Sequence, residues 1–165
     1  MNGYFQFMFV DCWPSITWSV VDYFLKPKKG YYALQTVSQP LLPVLRLSVT
    51  QFNRGDVLGW GPFLGPLTLV NDSPRPLKGL RVEGRVVDPR GKALLREKHS
   101  CNVPADSVVK PFEVQKRFNH IRGFTVPPQA RFGEYEIQLR VRDAQGKLIA
   151  HNEHGFKVVP KISRP

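Results

Sequence analysis

The sequence predicts a mainly β protein: an immunoglobulin-like two-sheet β-sandwich preceded by a strand-loop-helix unit. Three observations carry this prediction. Seven short runs of strand-forming residues recur from Val44 onward, separated by turn clusters at the spacing of an antiparallel sandwich. Two of those runs alternate between apolar and charged residues. The beginning of the chain is different in kind, because ten of the 19 aromatic residues fall within the first 32 of 165 positions.

Taken in order, Tyr4 to Val10 is an unbroken apolar run, the pattern of a parallel strand buried on both faces. Trp13-Pro14 breaks it, and a loop through Trp18 and Asp22 leads to Pro27, a helix start. Tyr31, Leu34 and Ser38 then keep helical spacing until Pro40. A lone parallel strand leaves its ladder open on both sides, so residues 1–43 read as part of a larger structure. The sandwich is assigned to residues 44–165. Its expected strands are Val44 to Thr50, Leu67 to Val70, Leu80 to Val87, Ala93 to Lys98, Phe112 to Phe118, Glu134 to Asp143 and Leu148 to Val159. Asn71-Asp72-Ser73-Pro74, Asp88-Pro89-Arg90-Gly91 and Asp143-Ala144-Gln145-Gly146 supply turns. Leu80, Val82 and Val86 alternate with Arg81, Glu83 and Arg85, and Tyr135, Ile137, Leu139 and Val141 with Glu136, Gln138, Arg140 and Arg142. One wet face and one buried face follow for each strand.

The net charge of +11, from 24 Lys and Arg against 13 Asp and Glu, invites nucleic acid as partner. Its placement argues otherwise: the cations are spread along outward strand positions, and no nucleic-acid-binding motif is present. Met1 to Val10 lacks a basic flank and stops at Asp11, so neither a signal peptide nor a membrane span is expected. Cys12 and Cys101, 89 positions apart, are expected to be buried free thiols, with one disulfide as the alternative. His151 and His154 point to opposite faces of a strand and read as surface histidines, while His99 and Cys101 share a face but make only two ligands. His120 falls in a loop without an evident partner. With no phosphate loop, nucleophile elbow or zinc spacing, neither cofactor nor metal is expected.

The one dense constellation is Phe7, Asp11, Trp13, Trp18 and Asp22, at the end of the apolar run and in the loop after it. In α/β barrels this position builds the active site. Aromatic faces pack on sugar C–H groups and a carboxylate accepts hydrogen bonds from hydroxyls, so the mix suits a carbohydrate pocket. Packing of the tryptophans into a barrel rim is the competing reading.

The run Gly3 to Tyr32, GYFQFMFVDCWPSITWSVVDYFLKPKKGYY, resembles the end of the catalytic barrel in glycoside hydrolase family 2, especially its β-mannosidase and exo-glucosaminidase branch. Asp11, Trp13, Pro14, Trp18, Ser19, Asp22, Tyr23, Pro27, Lys28, Tyr31 and Tyr32 stand at positions matching that family's pattern. Thr68 to Asp72, Pro76 to Gly79 and Gly133 to Phe156 resemble parts of the sandwich that follows the barrel. Phe7, Met8 and Val10 depart from it, standing where the family has Trp, Gln and Asn. The resemblance implies that residues 1–43 are a remnant of a (β/α)8 barrel. It also implies that Phe7, Asp11, Trp13 and Trp18 contact substrate and that Asp22 and Tyr23 shape the rim. Retaining glycosidases of this kind use two carboxylates about 5–5.5 Å apart, both glutamates on earlier barrel strands. No Glu precedes Glu83, so no catalytic residue is expected in this chain. The partners implied are the rest of the barrel and an oligo- or polysaccharide. The alternative is a stand-alone sandwich binding a carbohydrate or a protein.

Overall fold

The computed structural model describes residues 6–47, 49–58, 67–110 and 124–160. The chain divides into two compact units, Met1–Gln39 and Pro40–Pro165.

In the first unit, the expected strand from Tyr4 to Val10 is not found among the described residues Gln6 to Val10; Tyr4 and Phe5 lie outside them. What remains of it is one parallel bridge between Val10 and Val21, which in turn bridges Pro27. Asp11 N–H donates to the Val21 carbonyl and Val21 N–H to the Phe9 carbonyl, both at 3.0 Å. With no regular strand beside it among the described residues of this unit, pairing stops at that bridge. Met8, at φ 57°, also leaves extended geometry. The helix does form, as α1 (Lys29–Val37), two residues beyond Pro27, and Ser38 N–H closes it on the Leu34 carbonyl at 3.0 Å. None of its side chains is buried.

Among the described residues the second unit holds ten strands: β1 (Leu41–Leu45), β2 (Gln51–Phe52), β3 (Val57–Leu58), β4 (Leu67–Asn71), β5 (Leu77–Val87), β6 (Ala93–Val103), β7 (Ser107–Val109), β8 (Phe124–Thr125), β9 (Gly133–Arg142) and β10 (Leu148–Val158). They form a three-stranded sheet β1-β4-β7, a five-stranded sheet β2-β10-β9-β5-β6 and the pair β3-β8. The expectation of a mainly β, sandwich-type fold is borne out. Leu41, Leu45, Leu67 and Leu69 of the smaller sheet share one core with Val82, Val86, Ile137, Leu139, Val141 and Phe156 of the larger. The alternation in β5 and β9 sorts as the sequence requires, with Arg81, Glu83 and Arg85 outside. Tyr135 is buried, and its hydroxyl donates to the Arg131 carbonyl four residues upstream at 2.9 Å, the geometry of a tyrosine corner.

Val44 to Thr50 is corrected: the pairing strand is β1, in register with β4 from Leu41↔Asn71 to Leu45↔Leu67. Its buried positions are Leu41, Pro43 and Leu45. Pro43 is tolerated because β1 is an edge strand, where the missing N–H costs no ladder bond. The strand expected at Phe112 to Phe118 lies outside the described residues.

Side chains of β10 reach across to β1. Asn152 Nδ2 donates to the Pro43 carbonyl at 2.9 Å, and Leu45 N–H donates to His154 Nε2 at 3.3 Å. His154 is therefore a half-buried acceptor rather than a surface histidine, and burial holds its pKa below the usual 6.5. Protonation removes the acceptor. Because the folded pKa is the lower one, this stabilisation is complete above pH 6.5 and fades as pH falls through the folded value. Urea midpoints for the native chain are expected to drop from pH 7.5 to 5.5, and His154→Gln, which keeps an acceptor but does not titrate, is expected to flatten that slope.

Candidate carbohydrate-facing site in the first unit

The site is organised by one buried carboxylate. Asp11 is 4% exposed. Its Oδ2 pairs with Lys28 Nζ at 2.8 Å, and its Oδ1 accepts a short hydrogen bond from the Thr17 hydroxyl. The Lys28 ammonium also donates to Ser19 Oγ at 2.8 Å, and Ser19 Oγ–H to the Val21 carbonyl at 2.8 Å. The hydrogen bond from Lys28, then the nearby hydroxyls of Ser19 and Thr17, lower the Asp11 pKa to about 2 against the opposing effect of burial. Three loop segments are thus tied to one permanently ionised group. Lys28 reaches it because it stands just before α1, where its backbone N–H is also held by the Val20 carbonyl at 2.9 Å.

Around this network the apolar side chains are bare. Phe7, Trp13 and Trp18 are 73%, 64% and 76% exposed, and Phe9, Ile16, Phe24 and Leu25 are exposed as well. Among the described residues the ring contacts of this unit are Phe9–Tyr31, Tyr23–Phe24 and Tyr31–Tyr32, none of which uses Phe7, Trp13 or Trp18. The sequence grouped Phe7, Asp11, Trp13, Trp18 and Asp22 as one constellation. The structure brings Asp11 together with Thr17, Ser19 and Lys28 instead, and leaves the three rings projecting outward. Ser19 and Lys28 were visible as family-like positions, but their role depends on a partner 8 and 17 residues away from Asp11, which no local pattern reveals. Cys12 is exposed, contrary to the expected burial, because it sits on the outward side of the same loop; Cys101 is partly buried, its pKa raised by burial, and both thiols are free.

Asp22 caps a turn. Its Oδ1 accepts from Lys26 N–H at 2.8 Å, while Asp22 N–H donates to the Lys26 carbonyl and Leu25 N–H to the Asp22 carbonyl, both at 3.0 Å. Two turns of the sandwich are built alike: Asp88 to Lys92 and Asp143 to Lys147 have the same three bonds. Both carry glycine at the fourth position, Gly91 at φ 81° and Gly146 at φ 87°. In the first unit that position is Leu25, at φ 61° and exposed. A branched side chain in the left-handed region costs about 1–2 kcal/mol. Leu25→Gly is therefore expected to stabilise the first unit by roughly 0.5–1 kcal/mol after the entropy cost of glycine, read as slower amide exchange at Lys26, whose N–H closes the turn.

Elsewhere, an open cleft on the sandwich is lined by Val87, Asp88, Glu134, Glu136 and Glu153. Three of its acids are engaged: Glu134 pairs with Lys157 at 2.7 Å, Glu136 accepts from Gln138 and Asp88 accepts from its own turn. Among the described residues no three His, Cys, Asp or Glu side chains are arranged to hold a metal ion.

No protein-family profile matches the chain. A stretch of 31 residues, 19% of the chain and 4% of the relative, is 58% identical to β-mannosidase B of Emericella nidulans, and the same figures hold for β-mannosidase B of Aspergillus niger. In fold, the chain is similar to the exo-chitosanase CsxA of Amycolatopsis orientalis, with a TM-score of 0.63 at 13% identity over 91% of this chain and 15% of that one. The resemblance to glycoside hydrolase family 2 is borne out. Sequence carries it over the matched stretch; over nearly the whole chain the likeness to the exo-chitosanase is one of fold. The family 2 likeness is to a C-terminal part, and the chain spans a small fraction of the length of these relatives.

Proposed function

We propose that this chain is the C-terminal part of a retaining β-glycoside hydrolase of family 2, of the β-mannosidase-like kind, and that it does not hydrolyse glycosides by itself. In this reading the first unit completes the catalytic barrel and the second braces it. Phe7, Trp13 and Trp18 then face an oligo- or polysaccharide, with Asp22 and Tyr23 at the rim. The observation that carries the reading is the bare aromatic set held on a loop by the Asp11–Lys28 pair. Such a set has use only against a partner surface or a sugar.

Neither aspartate of this unit is poised for catalysis. A general acid needs a raised pKa, whereas Asp11 is held at about 2 with both oxygens engaged. Asp22 is committed to its turn. The test is hydrolysis of aryl β-mannoside, β-glucosaminide, β-galactoside and β-glucuronide by the chain alone and by the product of the same reading frame extended upstream. Activity in the extended form only is expected. Activity of the chain alone would overturn the reading, and silence of both would favour a stand-alone binding module, for which the sandwich has a core of its own.

A further inference from the structure

The outer face of the five-stranded sheet carries an unusual arrangement of charge. Register sets Arg81 of β5 directly opposite Arg142 of β9, and Arg85 of β5 directly opposite Arg96 of β6. Like charges placed directly across strands are destabilising. Arg140 and Lys98 flank Glu83 in the row between. Within β9, β5 and β6, Glu83 is the one carboxylate of these three rows, shared by Arg96 at 3.1 Å and Lys98 at 3.7 Å; Glu153 of β10 closes the row of Arg85 beyond Gln138. Arg81 and Arg140 make no ion pair among the described residues. Two of the forks are held in place: Arg142 Nη1 donates to the Gly146 carbonyl at 3.0 Å, and Arg85 Nε to Gln138. A strand face that needed only to be wet would alternate its signs, as Glu134 and Lys157 do nearby.

We propose that this guanidinium-bearing face is a docking surface for an anionic polysaccharide, a linear glycan carrying carboxylate or sulfate groups. The fork of Arg matches both groups bidentately. Neighbouring strands put successive forks about 4.8 Å apart across the sheet, and alternate residues put them roughly 6.6 Å apart along it, an extended grid that suits a linear chain of repeated anions. Nucleic acid fits less well. Single strands are held by bases stacked on aromatic rings, and the facing positions of β5, β6 and β9 offer none; a flat sheet face also presents nothing to enter a duplex groove.

The test uses the whole chain and five probes: heparin, polygalacturonate, neutral mannan, a single-stranded oligonucleotide and a duplex. Binding to heparin and polygalacturonate, falling steeply with salt, and none to mannan is the expected result. Arg81→Gln with Arg140→Gln is expected to weaken heparin binding at least tenfold while leaving Tm unchanged or raised, since cross-strand repulsion is relieved. Arg75→Gln with Arg131→Gln, which removes the same charge from exposed loops, is expected to hold affinity within twofold. Equal losses in the two double variants would reduce the effect to net charge and overturn the proposal. So would absence of glycan binding, tighter binding to either oligonucleotide, or a fall in Tm that accounts for the lost affinity.

Discussion

Asn71→Ala is expected to lower the stability of the sandwich by about 2–4 kcal/mol, and Asn71→Asp by at least as much. The side chain is fully buried at the end of β4. Its Nδ2 donates to the Arg75 carbonyl at 3.1 Å and the Pro104 carbonyl at 2.7 Å, and its Oδ1 accepts from Ser73 N–H at 3.1 Å. One amide thus closes the loop into β5 and ties it to the turn between β6 and β7. Alanine removes three hydrogen bonds and leaves space, each bond contributing about 1 kcal/mol and each stranded group costing more. Aspartate keeps the shape but sets a carboxylate oxygen against two carbonyl oxygens. The check is chemical denaturation of both variants; a change under about 1 kcal/mol would show that water replaces the amide without loss.

Phe156→Ala is expected to cost about 3–5 kcal/mol and to lower Tm by roughly 10 °C or more. Phe156 is among the largest fully buried side chains, and its ring lies between Tyr135, stacked at 5.3 Å, and Phe52, edge-on at 5.5 Å. It is the point at which the short strand β2, paired with β10 only through Lys157↔Gln51 and Val158↔Phe52, is fastened to the sheet. Removing the ring empties a cavity and releases β2. Phe156→Leu is expected to recover more than half the loss, since volume is largely kept.

How far the sequence disclosed this structure depends on the range of the interactions involved. β5 and β9 were legible because their faces alternate, β6 and β10 as strand-forming runs between turn clusters, and the turns at Asp88 and Asp143 because aspartate and glycine supply the bonds and the positive φ locally. β2, β3 and β8 have two residues each and exist only through their partners, so no local pattern marks them. The position of β1 was misread, since Val44 to Thr50 looks more strand-like than a segment holding Pro43, which only an edge position permits. In the candidate site the residue types were legible and the connections were not. Asp11 looked like a ligand for hydroxyl groups; it is instead the counter-ion of Lys28 and the anchor of Thr17.

The two hydrogen bonds that join β1 to β10 each span 109 residues of sequence. A contact of that separation pays its loop-closure entropy late, after shorter-range hairpins such as β9–β10 have formed. On the ribosome, the strand of the sandwich that emerges first therefore waits for the strand that emerges last. Throughout that interval the backbone groups of β1 that Asn152 and His154 will engage are open to other pairing, which makes the nascent β1 edge the place where misassembly of this domain begins.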